Sequence, residues 1–305
     1  MKYHFILNPV AGRGKAYRAI KYIRNLLREK DLNHEFSITN APGDATKLAY
    51  ESKNFFDTIV AIGGDGTVNE VMNGLVNSNT KLGVIPLGSG NDFARSLKVS
   101  NKIDKAIDII LNEKIIYCDV GKVKTKNINT QDKPISERFF INGIGIGFDA
   151  TVALESQKIK LIRGIPLYMV AVMKALLKYR TPKFYLKLDN FITKSKYFLI
   201  AIGNGQSSGG GFKLTPEAKL NDSKFDVCYV EDIGLLKIFK MLPSSIKGTH
   251  KRFKEVHYTK AENIEVTSQN NFVVHVDGEI IGTQVNSIEI SLIPKKLKVI
   301  YSSEY

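Results

Sequence analysis

The sequence predicts an α/β fold joined to a mainly β fold: an N-terminal doubly wound parallel sheet followed by a C-terminal antiparallel β-sandwich. Apolar strands alternate with amphipathic helices up to about residue 125, short strands of alternating polarity dominate afterwards, and a polar segment with Pro134 lies between. A chain of 305 residues is comfortable for two domains. We place them at residues 1–125 and 126–305, with the last strand, 297–302, free to return to the first domain.

The first half alternates strands with helices, which is typical of a parallel sheet covered on both faces. Strands are predicted at Tyr3–Asn8, Glu35–Thr39, Thr58–Ile62, Leu82–Pro86 and Ile115–Val123. Two apolar helix faces are traced by Ala16, Ile20, Ile23 and Leu27, and by Ile103, Ala106, Ile107 and Ile110. This βαβα order brings the carboxyl ends of the strands to one edge of the sheet.

The second half contains short strands separated by turn residues, and many of them alternate polar with apolar residues. Strands are predicted at Phe139–Phe148, Phe184–Leu188, Tyr197–Ile202, Phe225–Val230, Asn263–Thr267, Phe272–Val276, Ser287–Leu292 and Leu297–Tyr301. Two helices interrupt them, at about Thr151–Tyr179 and about Leu235–His250. The pattern indicates an antiparallel β domain.

The composition is that of a globular protein with a strongly basic balance. A net charge of +14 favours a nucleotide, a nucleic acid or an anionic membrane as partner, although a basic surface without a specific role fits equally well. No aromatic stacking platform for nucleic acid stands out. Cys118 and Cys228 are flanked by apolar residues, which indicates buried free thiols in a reducing cytosol. The most apolar stretch, Leu161–Leu177, carries charges and is not expected to span a membrane.

The segment Gly63–Thr67 carries the strongest functional signal. It reads Gly-Gly-Asp-Gly-Thr, follows an apolar strand and precedes a helix with one apolar face. This arrangement lets backbone N–H groups approach a phosphate. Because an aspartate there would repel the phosphate unless a cation lay between them, the segment indicates a phosphate with a divalent metal, and so a nucleotide.

Two further glycine-rich turns follow predicted strands of the same sheet, at Asn8–Lys15 and at Pro86–Asp92. In a parallel sheet all three turns open at the carboxyl edge, where ligands of such folds bind. None is a Walker A loop, because Gly-x-x-x-x-Gly-Lys-Ser/Thr does not occur. Gly145–Ala150 fits Gly-x-Gly-x-x-Ala, but no βαβ unit surrounds it, and we interpret it as helix–strand packing.

These turns and several later pieces resemble the diacylglycerol kinase catalytic domain, and the whole chain resembles the soluble bacterial lipid kinases of that family. The resemblance is carried by Asn8-Pro9-x-Ala11-Gly12, Gly63–Thr67, Gly88–Arg95, Gly209–Gly211, Pro216–Ala218 and Asp277-Gly278-Glu279. It implies a first domain like that of NAD kinases and phosphofructokinases, with ATP and Mg²⁺ as cofactors. The implied nucleotide contacts are Asn8, Pro9, Gly12, Thr39, Gly63, Gly64, Asp65, Gly66, Thr67, Asn69, Gly88, Ser89 and Asn91.

The resemblance also assigns roles to acidic residues. Asp65, Asp92 and Asp119 match positions that organise the catalytic magnesium, directly or through water. From the residues alone, Asp92 fits a helix N-cap equally well, and Asp119 a solvated carboxylate at a strand end. Asp277 and Glu279 match the segment of the catalytic base, with a slight preference for Glu279, although Asp-Gly also fits a hairpin turn.

A second, structural magnesium is implied at Lys219, Asp222 and Lys224, where similar enzymes use one aspartate side chain and nearby carbonyl oxygens. This chain has Asn221 and Ser223 where aspartate and glycine are common. Losing glycine strains a turn that needs a positive φ. We therefore expect this site to be weaker than the nucleotide site.

The resemblance implies transfer of the γ-phosphoryl group of ATP to a lipid hydroxyl, with diacylglycerol as the favoured acceptor and phosphatidic acid as product. Phosphatidylglycerol, a sphingoid base, a polyprenol or NAD stay open as acceptors, as does a non-catalytic, membrane-binding nucleotide sensor. Two segments, Lys158–Met169 and Lys237–Lys254, mix basic with bulky apolar residues. They suit peripheral docking at the cytoplasmic face of an anionic membrane, although core helices with a solvated basic face explain them equally well. A homodimer stays open, and His250 is expected at the surface.

Overall fold

The computed structural model describes residues 1–126, 136–159 and 164–303, and the chain divides into two compact units. Unit 1 combines Met1–Val120 with the chain from Pro294 onward, and unit 2 comprises Gly121–Ile293. The chain therefore leaves unit 1 once and returns to it once. Most of the polar segment expected between the domains, residues 127–135, lies outside the described residues.

Unit 1 is built on a parallel sheet. Its strands are β1 (Tyr3–Leu7), β2 (His34–Ile38), β3 (Thr58–Gly63) and β4 (Lys81–Pro86), in the order β2-β1-β3-β4. Val299 pairs in parallel with Leu82 and so adds the end of the chain beside β4. Every residue of β1 and β3 is buried, so both faces of the sheet are covered. The predicted α/β class is confirmed.

The helices of unit 1 are α1 (Ala11–Glu29), α2 (Asp44–Ser52), α3 (Asp65–Leu75), α4 (Asp92–Ser96) and α5 (Ile103–Asn112). Within α1, residues 12–14 have φ values of 57°, 57° and 80°, so the regular helix begins only after Gly14. The sequence pattern does not predict α2, because small residues, among them Ala45 and Ala49, form its buried face.

The carboxyl ends of β1, β3 and β4 lie at the same edge of this sheet. In the register of the pairs, Leu7 lies beside Ile62, and Gly63 lies beside Pro86. The three glycine-rich turns follow these strand ends directly. The fold therefore brings together three turns that are far apart in the sequence.

Unit 2 is an antiparallel β domain. Its strands are β5 (Ile115–Lys126), β6 (Ser136–Phe140), β7 (Gly143–Gly147), β8 (Lys183–Leu188), β9 (Phe191–Gly203), β10 (Phe225–Glu231), β11 (Val256–Ala261), β12 (Asn263–Val276) and β13 (Glu279–Ile300), with β5 beginning and β13 ending in unit 1. Antiparallel pairs give the order β11-β10-β9-β7-β12-β13, and β8 pairs with both β9 and β12.

The helices of unit 2 are α6 (Phe148–Gln157), α7 (Gly164–Lys178) and α8 (Leu235–Lys247), and a 3₁₀ turn follows at His250–Arg252. The prediction of one helix over 151–179 is wrong, because α6 and α7 are separate; residues 160–163 between them lie outside the described residues. No helix of the described ranges is both long and apolar enough to cross a membrane.

Three predicted strand boundaries in unit 2 are wrong. The strand predicted at 139–148 is two strands, since β6 ends at Phe140, β7 begins at Gly143, and Phe148 starts α6. The two strands predicted within 263–276 form one strand, β12. The polar residues between them lie where the pairing of β12 with β13 shifts register. The two strands predicted at 287–292 and 297–301 likewise form parts of one strand, β13, which ends at Ile300.

Candidate active site

The three glycine-rich turns of unit 1 contact one another through their backbones. A Cβ on Gly88 would lie 2.3 Å from the Cα of Gly64, and a Cβ on Gly12 would lie 2.3 Å from the carbonyl oxygen of Leu87. A side chain at either position would therefore force the turns apart. Glycine is what lets them close into one surface of exposed backbone, the kind of surface that a phosphate can approach.

Asn8 links the first turn to the second. Its Nδ2 donates to Thr67 Oγ1 at 3.1 Å, and its Oδ1 accepts from the N–H of Val10 at 3.1 Å. Gly63 makes room for the threonine, because a Cβ there would lie 2.3 Å from Thr67 Oγ1. The conformation of the turn Gly63–Thr67 is thus fixed in part by the side chain of Asn8, which follows β1.

The second turn leads into the N-terminus of α3. Gly64 occupies the N-cap position in an extended conformation and has no side chain with which to cap the helix. The N–H groups of the first helical turn and the positive end of the helix dipole therefore face outward from the turn, an arrangement that binds phosphate. Asp65, the first residue of α3, accepts a hydrogen bond from the N–H of Phe93 in α4 at 3.0 Å.

The other two predicted magnesium residues are buried. Asp92 is 5% exposed, and its carboxylate pairs with Arg95 at 2.7 Å. The N-cap of α4 is Asn91, so the interpretation of Asp92 as the N-cap is wrong. Asp119 is fully buried and accepts from the N–H of Lys295 at 2.7 Å, so a solvated carboxylate there is also wrong. Among the described residues, no three acidic, histidine or cysteine side chains converge on a common metal position.

The remaining predicted nucleotide residues differ in accessibility. Ser89 is exposed at the tip of the third turn, and Asn91 closes that turn by accepting from the N–H of Gly88 at 2.9 Å. Thr39 is 7% exposed at the end of β2. Asn69 is completely buried within α3, where it accepts from a neighbouring asparagine. The structure therefore places Asn69 beneath the surface of the turn rather than on it.

Asp277 in unit 2 is an anchor for the backbone. It is 4% exposed, and its carboxylate accepts three backbone N–H groups, from Ile141 at 3.0 Å, Asn142 at 2.9 Å and Gly143 at 2.8 Å. Its φ of 48° places it in the turn between β12 and β13. These bonds join that turn to the connection between β6 and β7 and occupy the oxygens of Asp277.

Glu279, two residues later, is more accessible. It begins β13, its side chain is 41% exposed, and its carboxylate pairs with Arg138 at 3.1 Å. Sequence reasoning did not identify Arg138, and no motif could have done so, because the two residues are 141 positions apart. Glu279 is therefore the solvent-accessible carboxylate of the predicted base segment.

At the predicted structural magnesium site, the carboxylate of Asp222 pairs with a lysine of the chain itself. The carboxylate of Asp222 accepts from the N–H of Lys224 at 3.3 Å and from the ammonium group of Lys260 at 2.6 Å. The same ammonium lies 3.3 Å from Asp226, a buried residue whose carboxyl pKa is raised by burial. Ser223 has a φ of 60°, the conformation for which glycine is common. The ammonium group of Lys260 therefore occupies the position beside Asp222 that a metal cation would take.

We expect the Lys260→Met variant to acquire a dependence on Mg²⁺ that the wild-type chain lacks. Removing the ammonium leaves Asp222 and buried Asp226 without their shared cation, which lowers the free energy of unfolding by about 1–2 kcal/mol, since water screens this half-exposed lysine. Thermal unfolding without nucleotide, in MgCl₂ or in EDTA, measures this. Lys251→Met, at an exposed pair with Glu217, is the matched control. A wild-type midpoint that falls in EDTA would contradict the expectation.

Unit 2 also contains an apolar cavity that sequence reasoning missed. It holds about 740 Å³, its open mouth included, and α6, α7, α8, β9 and β10 contribute to its walls. Six of its large side chains are Phe148, Tyr168, Phe198, Phe212, Ile238 and Met241. No sequence motif signals such a cavity, because its walls come from separate elements. Its apolar lining suits an aliphatic chain.

His250 and both cysteines are buried. His250 is 2% exposed and lines the cavity, so the expectation of a surface histidine is wrong. The turn that carries it folds against β10, where its Nε2 lies 3.6 Å from Cys228 Sγ. Cys118 and Cys228 are buried free thiols, as predicted. Burial raises the pKa of both thiols, which therefore stay protonated.

Known proteins resemble the chain over nearly its whole length. Residues 2–123 match the family model of the diacylglycerol kinase catalytic domain, and residues 142–301 match the YegS C-terminal NAD kinase beta sandwich-like domain. A diacylglycerol kinase of Staphylococcus saprophyticus is 31% identical over 278 residues, which cover 90% of this chain and 87% of that protein. A diacylglycerol kinase of Bacillus subtilis is 30% identical over 279 residues, covering 90% of this chain and 88% of that protein.

The fold agrees with the sequence comparisons. A crystal structure of a candidate diacylglycerol kinase from Bacillus anthracis superimposes with a TM-score of 0.80 at 27% identity, covering 99% of this chain and 97% of that chain. The β-sandwich predicted for the second half agrees with the matching C-terminal domain model. Both halves of the chain, in this order, match domains of the same kinases. The chain therefore belongs to the diacylglycerol kinase family and is a kinase.

Proposed function

We propose that this kinase transfers the γ-phosphoryl group of MgATP to the hydroxyl group of diacylglycerol and so makes phosphatidic acid. The observation that carries the proposal is the closure of three glycine-rich turns around the bare N-terminus of α3. Such a surface binds phosphate groups through backbone N–H groups. The family relationship supports a lipid as acceptor.

The phosphates of ATP would lie against the turns that begin at Asn8, Gly63 and Gly88. Thr67 and Asn8, already joined by a hydrogen bond, fix the shape of this surface before the nucleotide binds. Ser89 is exposed and offers a hydroxyl group to the nucleotide. Preorganisation of this kind lowers the entropic cost of binding.

Asp65 is the residue that would hold Mg²⁺ beside these phosphates. When bound, the metal would offset the charge that develops on the phosphoryl group during transfer. The hydrogen bond from the N–H of Phe93 fixes the Asp65 carboxylate in place. Asp92 and Asp119 are buried in hydrogen bonds of their own, so their part in this network would be indirect, through water or through the placement of α4.

Glu279 is the base that we propose for the acceptor hydroxyl. A base needs an oxygen that the substrate can reach, and Glu279 is accessible whereas Asp277 is nearly buried beneath three N–H donors. Arg138 would orient the Glu279 carboxylate. Asp277 would act as a positioning residue, because it holds the turn that carries Glu279.

The acyl chains of the acceptor would occupy the apolar cavity of unit 2. We propose that the enzyme receives them at the inner surface of an anionic membrane. Leu235, Leu236 and Phe239 of α8 are 59%, 84% and 41% exposed, and lysines 237 and 240 lie among them. On α7, Leu177 is 86% exposed next to a lysine. Both helices also line the cavity. Of the basic segment predicted at 158–169, residues 160–163 lie outside the described residues.

Exposed leucines flanked by lysines suit shallow insertion into a bilayer. We expect the double variant Leu177→Gln/Leu236→Gln to bind phosphatidylglycerol-containing vesicles at least about tenfold more weakly, since each leucine would bury apolar surface in the lipid. Vesicle sedimentation measures the change. Phe55→Gln replaces an equally prominent hydrophobic residue of unit 1, 70% exposed, and is the control. Unchanged sedimentation of the double variant would exclude this docking surface.

Transfer of radiolabelled phosphate from ATP to a panel of acceptors tests the proposed function. The panel contains dioctanoylglycerol, phosphatidylglycerol, a sphingoid base, a polyprenol and NAD. We expect labelled phosphatidic acid, and we expect it to require Mg²⁺. A labelled product from another lipid only would show that a different lipid alcohol is the substrate. Labelled NADP would show instead that the protein is an NAD kinase. If no acceptor becomes labelled, the proposed activity is refuted, and the protein only binds the nucleotide.

A further inference from the structure

The lining of the apolar cavity of unit 2 is mostly aliphatic and aromatic, and Asp149, Cys228 and His250 are among its few polar residues. Burial raises the pKa of the Cys228 thiol to about 12, and the nearby Asp149 carboxylate adds to this shift. Cys228 Sγ in turn lies 3.6 Å from His250 Nε2. Asp149 is the one acidic residue among the described residues that line this cavity.

A buried histidine holds the Asp149 carboxylate in place. Asp149 Oδ2 lies 2.9 Å from the Nε2 of His275, which is 3% exposed. Because an ionised carboxylate only accepts hydrogen bonds, Nε2 carries the hydrogen. Gly145 creates the space for this pair, since a Cβ there would lie 2.1 Å from Asp149 Oδ2 and 2.2 Å from His275 Nε2. This explains the glycine in Gly145–Ala150.

His250 also lines the cavity. Its Nε2 lies 3.2 Å from the carbonyl oxygen of Leu214, so Nε2 is the donor and Nδ1 keeps its lone pair. Burial lowers the pKa of His250, which keeps the ring neutral. Nδ1 is buried and has no partner within the described part of the chain. Because Nδ1 has no accessible surface, a ligand in the cavity meets the carboxylate of Asp149 rather than this nitrogen.

The carboxylate of Asp149 defines the ligand that this part of the cavity can hold. A free hydroxyl group donates to a carboxylate or to a neutral ring nitrogen, whereas an ester offers only acceptors. A phosphate group is worse than an ester, because its charge is repelled by Asp149 in a cavity of low polarity.

We propose that Asp149, held by His275, is a specificity-determining residue that binds the hydroxyl end of the lipid substrate and excludes anionic phospholipids. The enzyme would then select a neutral lipid alcohol from among the phospholipids of its membrane and would release its own phosphorylated product. This inference rests on the proposed function, since it concerns the acceptor of the same reaction. It assigns Asp149 to recognition, separately from the base Glu279.

Steady-state kinetics of Asp149→Asn with dioctanoylglycerol, and inhibition by dioctanoyl phosphatidic acid, test the proposal. We expect the KM for dioctanoylglycerol to rise about tenfold, kcat to change less than threefold, and the inhibition constant of phosphatidic acid to fall about tenfold. Asp232→Asn, at an exposed aspartate of unit 2 that pairs with Thr181, is the matched control. His275→Leu should reproduce the effects, and His275→Gln, which keeps a donor, should largely restore KM.

Values of KM and of the inhibition constant that match those of Asp232→Asn would overturn the inference and leave the lipid kinase intact. If Asp149→Asn does not fold, the two His275 variants decide the question by the same constants. If the wild-type chain phosphorylates no lipid, the proposed function fails instead. Calorimetric binding of dioctanoylglycerol and dioctanoyl phosphatidic acid to wild-type and Asp149→Asn proteins then tests the inference: a preference for the alcohol that the variant loses supports it, and equal binding refutes it.

Discussion

The Asp65→Asn variant is expected to lose about 10³-fold in kcat with little loss of stability. Asp65 is the only acidic residue in the turn Gly63–Thr67, and we propose that it holds the metal that offsets charge on the transferring phosphoryl group. Removing a single group that stabilises developing charge typically lowers kcat by 10²–10³. Asparagine keeps an oxygen that can accept the N–H of Phe93, the partner of Asp65 at 3.0 Å. The fold around α4 should therefore persist.

Asp104→Asn is the matched control for this variant. Asp104 also lies in the first turn of a helix, α5, but it is exposed and is not part of a glycine-rich turn. Labelled phosphate transfer measures activity, and thermal unfolding measures stability. An equal loss of activity in Asp104→Asn would show that removing an acidic residue from any helix N-terminus has this effect, and that Asp65 has no special role. Full activity of Asp65→Asn would remove Asp65 from the metal site.

Local signals in the sequence account for the parallel sheet of unit 1 and its three turns. Each turn couples a buried strand to a helix within a few residues, so apolar runs and glycine positions suffice to predict it. The helix α2 escapes prediction because its buried face consists of small residues, including Ala45 and Ala49. The long strands β12 and β13 escape because polar residues inside a strand resemble a turn until register shifts are known.

The candidate site is less predictable, since its support comes from contacts over long separations. Arg138 reaches Glu279 across 141 positions, and His275 reaches Asp149 across 126. A sequence shows which residues exist but not which of them meet. The resemblance to lipid kinases identified Asp277 and Glu279 together; only burial separates an anchored carboxylate from an accessible one.

That separation gives the second large prediction: Glu279→Gln should lose activity, whereas Asp277→Asn should lose stability. Glutamine keeps an oxygen for Arg138 but cannot take a proton, so we expect kcat to fall about 10³-fold with an unchanged melting midpoint, within the usual range for a general base. Glu289→Gln, also on β13 and paired with Lys126, is the control for an exposed glutamate. A retained kcat in Glu279→Gln would contradict the assignment of the base.

Asp277→Asn removes one acceptor from a carboxylate that serves three backbone N–H groups. The amide group of asparagine would point a donor at one of them, so we expect the free energy of unfolding to fall by about 2–3 kcal/mol. Asparagine tolerates the φ of 48° at this position, which keeps backbone strain out of the comparison. Urea denaturation measures the loss. A stable Asp277→Asn protein whose kcat falls as far as that of Glu279→Gln would reverse the two roles, because it would show that the buried carboxylate takes the proton.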